Sequence, residues 1–343
     1  MAASFRSIAL AGAAVLSACS GACSAAAPAY TAGAPITLPD GRWDYASFDP
    51  VGRLVYVART DTVSVVDPAH PEAVRQIGAI AHGHAAFTLP GGKVLVVTSG
   101  HDNTVRLLDT TDGHQIASIP VDADPDFALY DPASKTVLVM NAKAGTIAKI
   151  DPVAAKVVGT VALKPGLEAA VMTSSTQLAV NNEDTNELAL VDVSAGTVLA
   201  AIPMPGCEAP TGIAFVPEMG ITISACANGK AAVVNIAARK LAMLLPIGMG
   251  PDSAIYDSAR RRVLIPCGKS GTISVFTLGA DNLLHAADSI ASGSGARTAA
   301  IDPSDGTIYL PSAAYAAAIA GSHGYDAVPG SVRLLRLTPQ GSE

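Results

Sequence analysis

One spacing governs what this chain can become: a strand-ending pair, Asp-Pro or a near relative of it, returns about every 42 residues. The pairs are Asp49-Pro50, Leu89-Pro90, Asp131-Pro132, Thr173-Ser174, Val216-Pro217, Asp257-Ser258 and Asp302-Pro303, with first residues 40, 42, 42, 43, 41 and 45 apart. Each unit divides into four short apolar or alternating runs separated by turn residues, as in DFALYDP, KTVLVMN, GTIAKIDP and KVVGTVAL. Runs of this length and period are strands, and one such unit cannot bury its own faces. Seven of them predict a single all-β domain over 35–340, a seven-bladed β-propeller of four-stranded antiparallel blades. A composition of 50% hydrophobic but only 4% aromatic residues suits many short, closely packed strands. The last unit, 292–338, supplies three strands and no fourth, whereas Ile36-Thr37-Leu38 precede the first unit without a partner. That N-terminal strand is expected to pair with 331–337, completing the last blade and removing the open edges.

Residues 1–18 hold one basic residue, Arg6, then an apolar stretch from Ile8 to Leu16, the pattern of an export signal too short to span a bilayer. Leu16-Ser17-Ala18-Cys19 has the form of a bacterial lipobox, so Cys19 is the expected lipidation site; ordinary cleavage near Ala25 to Ala27 is the alternative. Residues 19–34 read as a flexible tether. The chain is therefore expected to be exported and periplasmic, lipid-anchored to the outer membrane, or secreted, touching membrane only through its anchor. A net charge of -7 with no basic run argues against a nucleic-acid surface.

The repeat also aligns polar residues. Five residues before each anchor stand Asp44, His84, Asp126, Glu168, Thr211, Asp252 and Arg297, at the entry to the innermost strand and so around one end of the central channel. Ten residues after each anchor stand Arg59, Ser99, Asn141, Glu183, Cys226, Cys267 and Ser312, predicted to form a second polar ring on the same face. Carboxylates converging on a narrow mouth repel unless a cation relieves them. Asp44, Asp126, Glu168 and Asp252 are thus candidate ligands for Ca2+ or Mg2+, and His84 beside them admits Zn2+ or Mn2+. Asp44, Arg59, Asn141, Glu183 and Thr211 are candidate ligand contacts. A hydrated channel lining is the competing reading. His82 is expected two residues farther out, contributing little. A long segment in the last unit, 312–331, places Tyr315, His323, Tyr325 and Asp326 where a lid would lie.

The register, with Arg42-Trp43-Asp44-Tyr45, His82-Gly83-His84, Pro125-Asp126, Asn181 to Asn186, Cys207 to Gly212, Gly271 to Val275 and Ala296 to Pro303, resembles the YVTN-type, YncE-like seven-bladed propellers over nearly the whole chain after residue 35. The resemblance implies the fold and says little about reaction, because propellers host unrelated functions. Arg59 departs from it, since relatives often carry His there. The resemblance includes a Cys207–Cys226 pair, which also suits the ends of adjoining strands in an exported chain; Cys267 would remain a thiol.

Two functions follow as expectations. One is a metal-assisted hydrolase or lyase of lactonase-like type, with His84 or Glu168 as general base and Arg297 holding an anionic group. The other is a noncatalytic envelope module binding a small molecule, glycan or protein, expected to be monomeric. A single tryptophan in seven units argues against a quinone cofactor, and no nucleotide cofactor is expected.

Overall fold

The structure is a computed structural model that describes residues 30–315 and 327–340. All regular elements among the described residues are strands, arranged in seven antiparallel sheets. Their innermost strands are Trp43–Asp49, Gly83–Thr88, Pro125–Asp131, Leu167–Met172, Pro210–Val216, Ile255–Asp257 and Ala300–Ile301, one for each blade in chain order. Each strand but the last then pairs outward with the next in sequence, as in the third blade, where Thr136–Asn141, Thr146–Asp151 and Lys156–Ala162 follow.

The anchors work through the aspartate side chain. Asp49 accepts the backbone N–H of Val51 and Gly52, both at 3.0 Å, and Asp131 accepts that of Ala133 at 2.9 Å. These are Asx turns, which reverse the chain tightly between the first two strands. Where the fourth unit lacks the aspartate, Ser174 Oγ takes the N–H of Gln177 at 3.1 Å instead.

The second-strand interiors are buried on both faces, so their apolar residues serve two neighbours. Accordingly the core is not one cluster but seven, each shared by two adjacent blades. Tyr56, Val63 and Ile77 of the first blade meet Ala86, Leu95 and Val97 of the second, and Leu264 and Ile273 of the sixth meet Ile308 and Leu310 of the seventh. Trp43 packs with Ile36, Leu38 and Tyr309 where the first and seventh blades join.

Closure occurs where the sequence placed it. Ile36 and Thr37 pair with Leu334 and Arg333 of the last strand, Arg333–Pro339. The closing segment is longer than expected, however. Tyr30–Ala32, placed in the tether by the sequence, forms a further strand against Pro339, Thr338 and Leu337. The reason is the length of Arg333–Pro339, whose outer edge Ile36 and Thr37 alone leave half uncovered. Tyr30 also lies over the Arg262 guanidinium of the sixth blade, 5.0 Å from its ring centroid. The expected export signal 1–18, the expected lipidation site Cys19 and the expected tether as far as residue 29 lie outside the described residues, as do His323, Tyr325 and Asp326. Tyr315 and Ala327 form a bridge at the base of that long segment. Cys207 and Cys226 are joined, with Cα atoms 5.4 Å apart, and Cys267 is a buried thiol.

Candidate functional site

A local irregularity that alternation cannot reveal builds the mouth of the channel. In each of the first five blades the register of the innermost strand shifts just after its first residue, between Trp43 and Ala46, Gly83 and Ala86, Pro125 and Ala128, Leu167 and Ala170, and Pro210 and Ile213. The skipped residues include Asp44, His84, Asp126, Glu168 and Thr211. A β-bulge re-aims a side chain away from the sheet's own alternation. In the sixth and seventh blades the strand starts later, and Asp252 and Arg297 precede it.

The ring residues meet across blades. His84 Nδ1 donates to Asp44 Oδ2 at 2.8 Å and lies 3.5 Å from Asp126 Oδ1. Arg297 Nε donates to Asp252 Oδ2 at 2.6 Å, and its Nη2 donates to the Trp43 carbonyl at 3.1 Å with Asp44 Oδ1 at 3.9 Å. Asp44, His84 and Asp126 offer ligand atoms that all lie within 4.8 Å of one another, a spacing that fits a single cation. Thr211 turns its hydroxyl toward the Ala225 and Pro251 carbonyls.

Four carboxyls therefore share two cationic partners. Burial, reinforced by Asp44, Asp252 and Asp124, pushes Asp126 up to about 8 despite the opposing charge of His84. Burial likewise raises Glu168 well above the carboxylate range, with Asp126, Asp252, Glu183 and Asp44 adding to it. Asp252 reaches about 6 through burial and Asp44, restrained by Arg297. Burial works against a charge on His84, yet the Asp44 hydrogen bond and the Asp126 and Asp44 charges outweigh it and lift the ring to about 9. Asp126 thus stays largely protonated at neutral pH unless positive charge arrives, and burial among the other carboxyls shifts Glu168 in the same direction.

Beside the ring, Tyr45 reaches across the channel. Its hydroxyl reaches the Asp252 carbonyl at 3.3 Å from the first blade to the sixth, and its ring meets Phe127 edge-on at 5.1 Å. An aromatic pair thus stands next to the carboxyl ring. Buried side chains hold its backbone from the neighbouring blade: Thr98 bonds the Asp126 carbonyl, Asn181 those of Thr211 and Gly212, and Thr298 that of Asp44.

The second ring is placed differently from expectation. Arg59, 3% exposed, spends its guanidinium on the Pro39 and Gly41 carbonyls; Asn141, fully buried, donates to Thr146; Ser99 and Ser312 bond Ala81 and Ser294. The cause is the segment leading into each innermost strand, which crosses the end of the second strand and covers it, as where Gly100 N donates to His82 O and Ala142 N to Asp124 O. Glu183 alone among the polar members stays partly exposed, raised by burial and Asp184. His82 is closer to the action than its position implied, with its ring edge-on to His84 at 4.6 Å and stacked on His101 at 4.3 Å. Burial, then His84 and His101, lower its pKa. Tyr45, Asp124 and His101 were not legible from the register, because none stands at a repeating polar position.

No family model matches the chain, and no curated protein matches it in sequence. Among solved structures, the fold is similar to one described as streptogramin B lyase, with a TM-score of 0.70 at 12% identity over 90% of this chain and 98% of that one. It is similar also to a chain of a mitotic checkpoint complex, with a TM-score of 0.69 at 14% identity, covering 97% and 98%. A chain of Kuenenia stuttgartiensis hydrazine synthase gives 0.65 at 15% identity, covering 78% and 91%. At such identities the likeness concerns the fold alone.

Proposed function

We propose that this chain is an exported cell-envelope propeller of the YVTN-type, YncE-like kind that binds a cation, and a small ligand with it, at the acidic mouth of its channel. The observation that carries this reading is the excess of buried carboxyl groups: Asp126 and Glu168 sit among Asp44 and Asp252 with only His84 and Arg297 to balance four acids. An arriving divalent cation would be held by oxygens of Asp44 and Asp126, with Glu168 and Asp252 behind them; oxygen-rich sites favour Ca2+ or Mg2+. Bound there, it would supply Lewis-acid polarisation of a carbonyl. An anionic group has less to hold it, because Arg297 is already engaged by Asp252, Asp44 and the Trp43 carbonyl.

The same groups support acid–base chemistry of the hydrolase or lyase class. Glu168, whose burial among acidic neighbours favours its proton-bearing form, is placed to give a proton, and Asp252, near 6, can take one. His84 at about 9 is an imidazolium in the cation-free chain, so the base role suggested by its residue type passes to Asp252. The streptogramin B lyase likeness is compatible with such chemistry on this fold. A noncatalytic binding module is the second reading, favoured by the Tyr45–Phe127 pair beside the carboxyls, which offers an aromatic surface for a ligand to rest on.

Titration calorimetry with Ca2+ and Mg2+ tests the cation. Asp126→Asn and Glu168→Gln should each weaken binding at least tenfold without changing folding, and unchanged binding in both refutes the site. A screen on lactones, esters and uronates with and without chelator separates the enzyme from the module, which should turn over none.

A further inference from the structure

The cation triad uses only part of the inner ring. Asp44, His84 and Asp126 bring their ligand atoms within 4.8 Å of one another, and Glu168 and Asp252 stand outside that group. Among the described residues no hydrogen bond or ion pair satisfies the Glu168 carboxyl, while Asp252 gives Oδ2 to Arg297 Nε at 2.6 Å and its Oδ1 accepts nothing. Thr211, between them in blade order, carries no charge and turns its hydroxyl toward the Ala225 and Pro251 carbonyls. The arc from the fourth blade to the sixth therefore sets two carboxyls against one guanidinium. Burial, then the charges of Asp126 and Asp252, shift Glu168 toward its proton-bearing form, and a cation placed against it reverses that shift.

What adjoins this arc is aromatic. Tyr45 leaves the first blade and packs against the cluster that holds Ala169, next to Glu168, and Ile213, two residues beyond Thr211. Its hydroxyl reaches the Asp252 carbonyl at 3.3 Å, and Phe127 of the third blade meets its ring edge-on at 5.1 Å. Burial raises the Tyr45 pKa, and Asp252 and Glu168 add more to it than Asp126 and Asp44, so the phenol stands on the arc's side of the ring. Carboxylates beside aromatic rings suit an organic ammonium. Its N–H donors satisfy the oxygens through charge-assisted hydrogen bonds, and the rings attract its charge within about 6 Å. A hard divalent cation takes oxygens alone and gains nothing from the rings.

We propose that the small ligand of the basin is a primary amine in its ammonium form, its charged head held by Glu168 and by the Asp252 oxygen that Arg297 does not take, its carbon body resting on Tyr45 and Phe127. The inference rests on the carboxylate-basin reading and names the class of ligand that accompanies the metal there. A primary ammonium brings three N–H donors to acceptors that the chain leaves open, which a quaternary one cannot do. The triad and the ammonium use different carboxyls, so both places fill together. A carboxylate or phosphate ligand would face Glu168 and Asp252 with Arg297 already engaged.

Calorimetric titration with benzylamine at neutral pH, with and without Ca2+, tests this. Benzylamine should bind in both conditions, and benzyl alcohol and benzoate, of similar shape without the positive charge, should bind at least tenfold more weakly. Glu168→Gln should weaken benzylamine at least tenfold and Phe127→Leu at least fivefold, whereas Phe127→Tyr, which keeps the ring, should stay within twofold; thermal melting checks that each variant is folded. Benzylamine affinity retained in folded Glu168→Gln, or benzoate bound as tightly as benzylamine, overturns the proposal. Benzylamine binding abolished by Ca2+ overturns it too, since the amine would then sit on the triad's own carboxyls. Ca2+ uptake by the unaltered chain with no uptake of benzylamine sinks the ammonium and leaves the cation basin standing, while failure of both removes the basin reading as well.

Discussion

At the residue scale, the mouth couples protons to folding through groups that lie 14–21% exposed, such as His84, Asp126 and Asp44. Asp126 is held up at about 8 in the folded chain, while in the unfolded chain it ionises near its ordinary value of 3.8. The folded chain binds the extra proton between those values, so its stability falls as pH rises from about 4 to about 8. His84 acts in the same direction. Its folded value of about 9 exceeds the ordinary 6.5, so its stabilising effect is complete below about 6.5 and lost as pH rises through 9. Without divalent cation, the melting midpoint should therefore fall between about pH 5 and about pH 9, most steeply from about 6.5 to 8, by at most about 1.4 kcal/mol per pH unit for each proton held. Asp126→Asn should flatten the curve, and Ca2+ should restore stability at the alkaline end. A midpoint that rises over this range would contradict the charge arrangement.

At the element scale, the seventh blade depends on a segment from the other end of the chain. Ile36 and Leu38, 4% and 2% exposed, share a core with Trp43 and Tyr309, so the N-terminal segment fills a blade interface as well as pairing an edge. Removing residues 1–29 should leave stability within about 1 kcal/mol, since every described pairing begins at Tyr30. Removing residues 1–38 should cost more than about 4 kcal/mol, because two buried apolar side chains and an entire strand are lost together. Urea denaturation of the two truncations checks this, and equal stabilities would show that the ring does not close through its ends. The unequal lengths of Ile36–Thr37 and Arg333–Pro339 explain why the sequence alone does not reveal Tyr30–Ala32 as a strand: the need for it comes from its partner, not from its own three residues.

At the scale of the whole molecule, strand direction fixes which face meets what. Ser312, at the mouth end of its strand, pairs with Arg333, and Pro339 at the far end pairs with Tyr30. Tyr30 thus lies on the face opposite the mouth. A bulky soluble domain fused ahead of Tyr30 should leave Ca2+ affinity at the mouth within about twofold, as calorimetry on the fusion would measure; a tenfold loss would place the two features on one face.

The sequence by itself determined the blade count, the closure and the angular position of the inner ring, because each is encoded by repetition: seven anchors at a near-constant spacing force seven equivalent places. It also located the Cys207–Cys226 bond, whose ends lie just ahead of one strand and at the end of its antiparallel neighbour. Repetition says nothing about residues that differ from their counterparts. His82 and Asp124 hold positions where the fourth, sixth and seventh blades use glycine, and only the fold reveals that both lie against His84. Arg59 and Asn141 obey the register yet face backbone carbonyls and Thr146, because the connecting segments cover the strand ends they occupy. The bulge that turns Asp44 and Glu168 to the channel is a two-against-one mismatch between strands. That mismatch is a property of a pair of strands, and no single strand's sequence carries it.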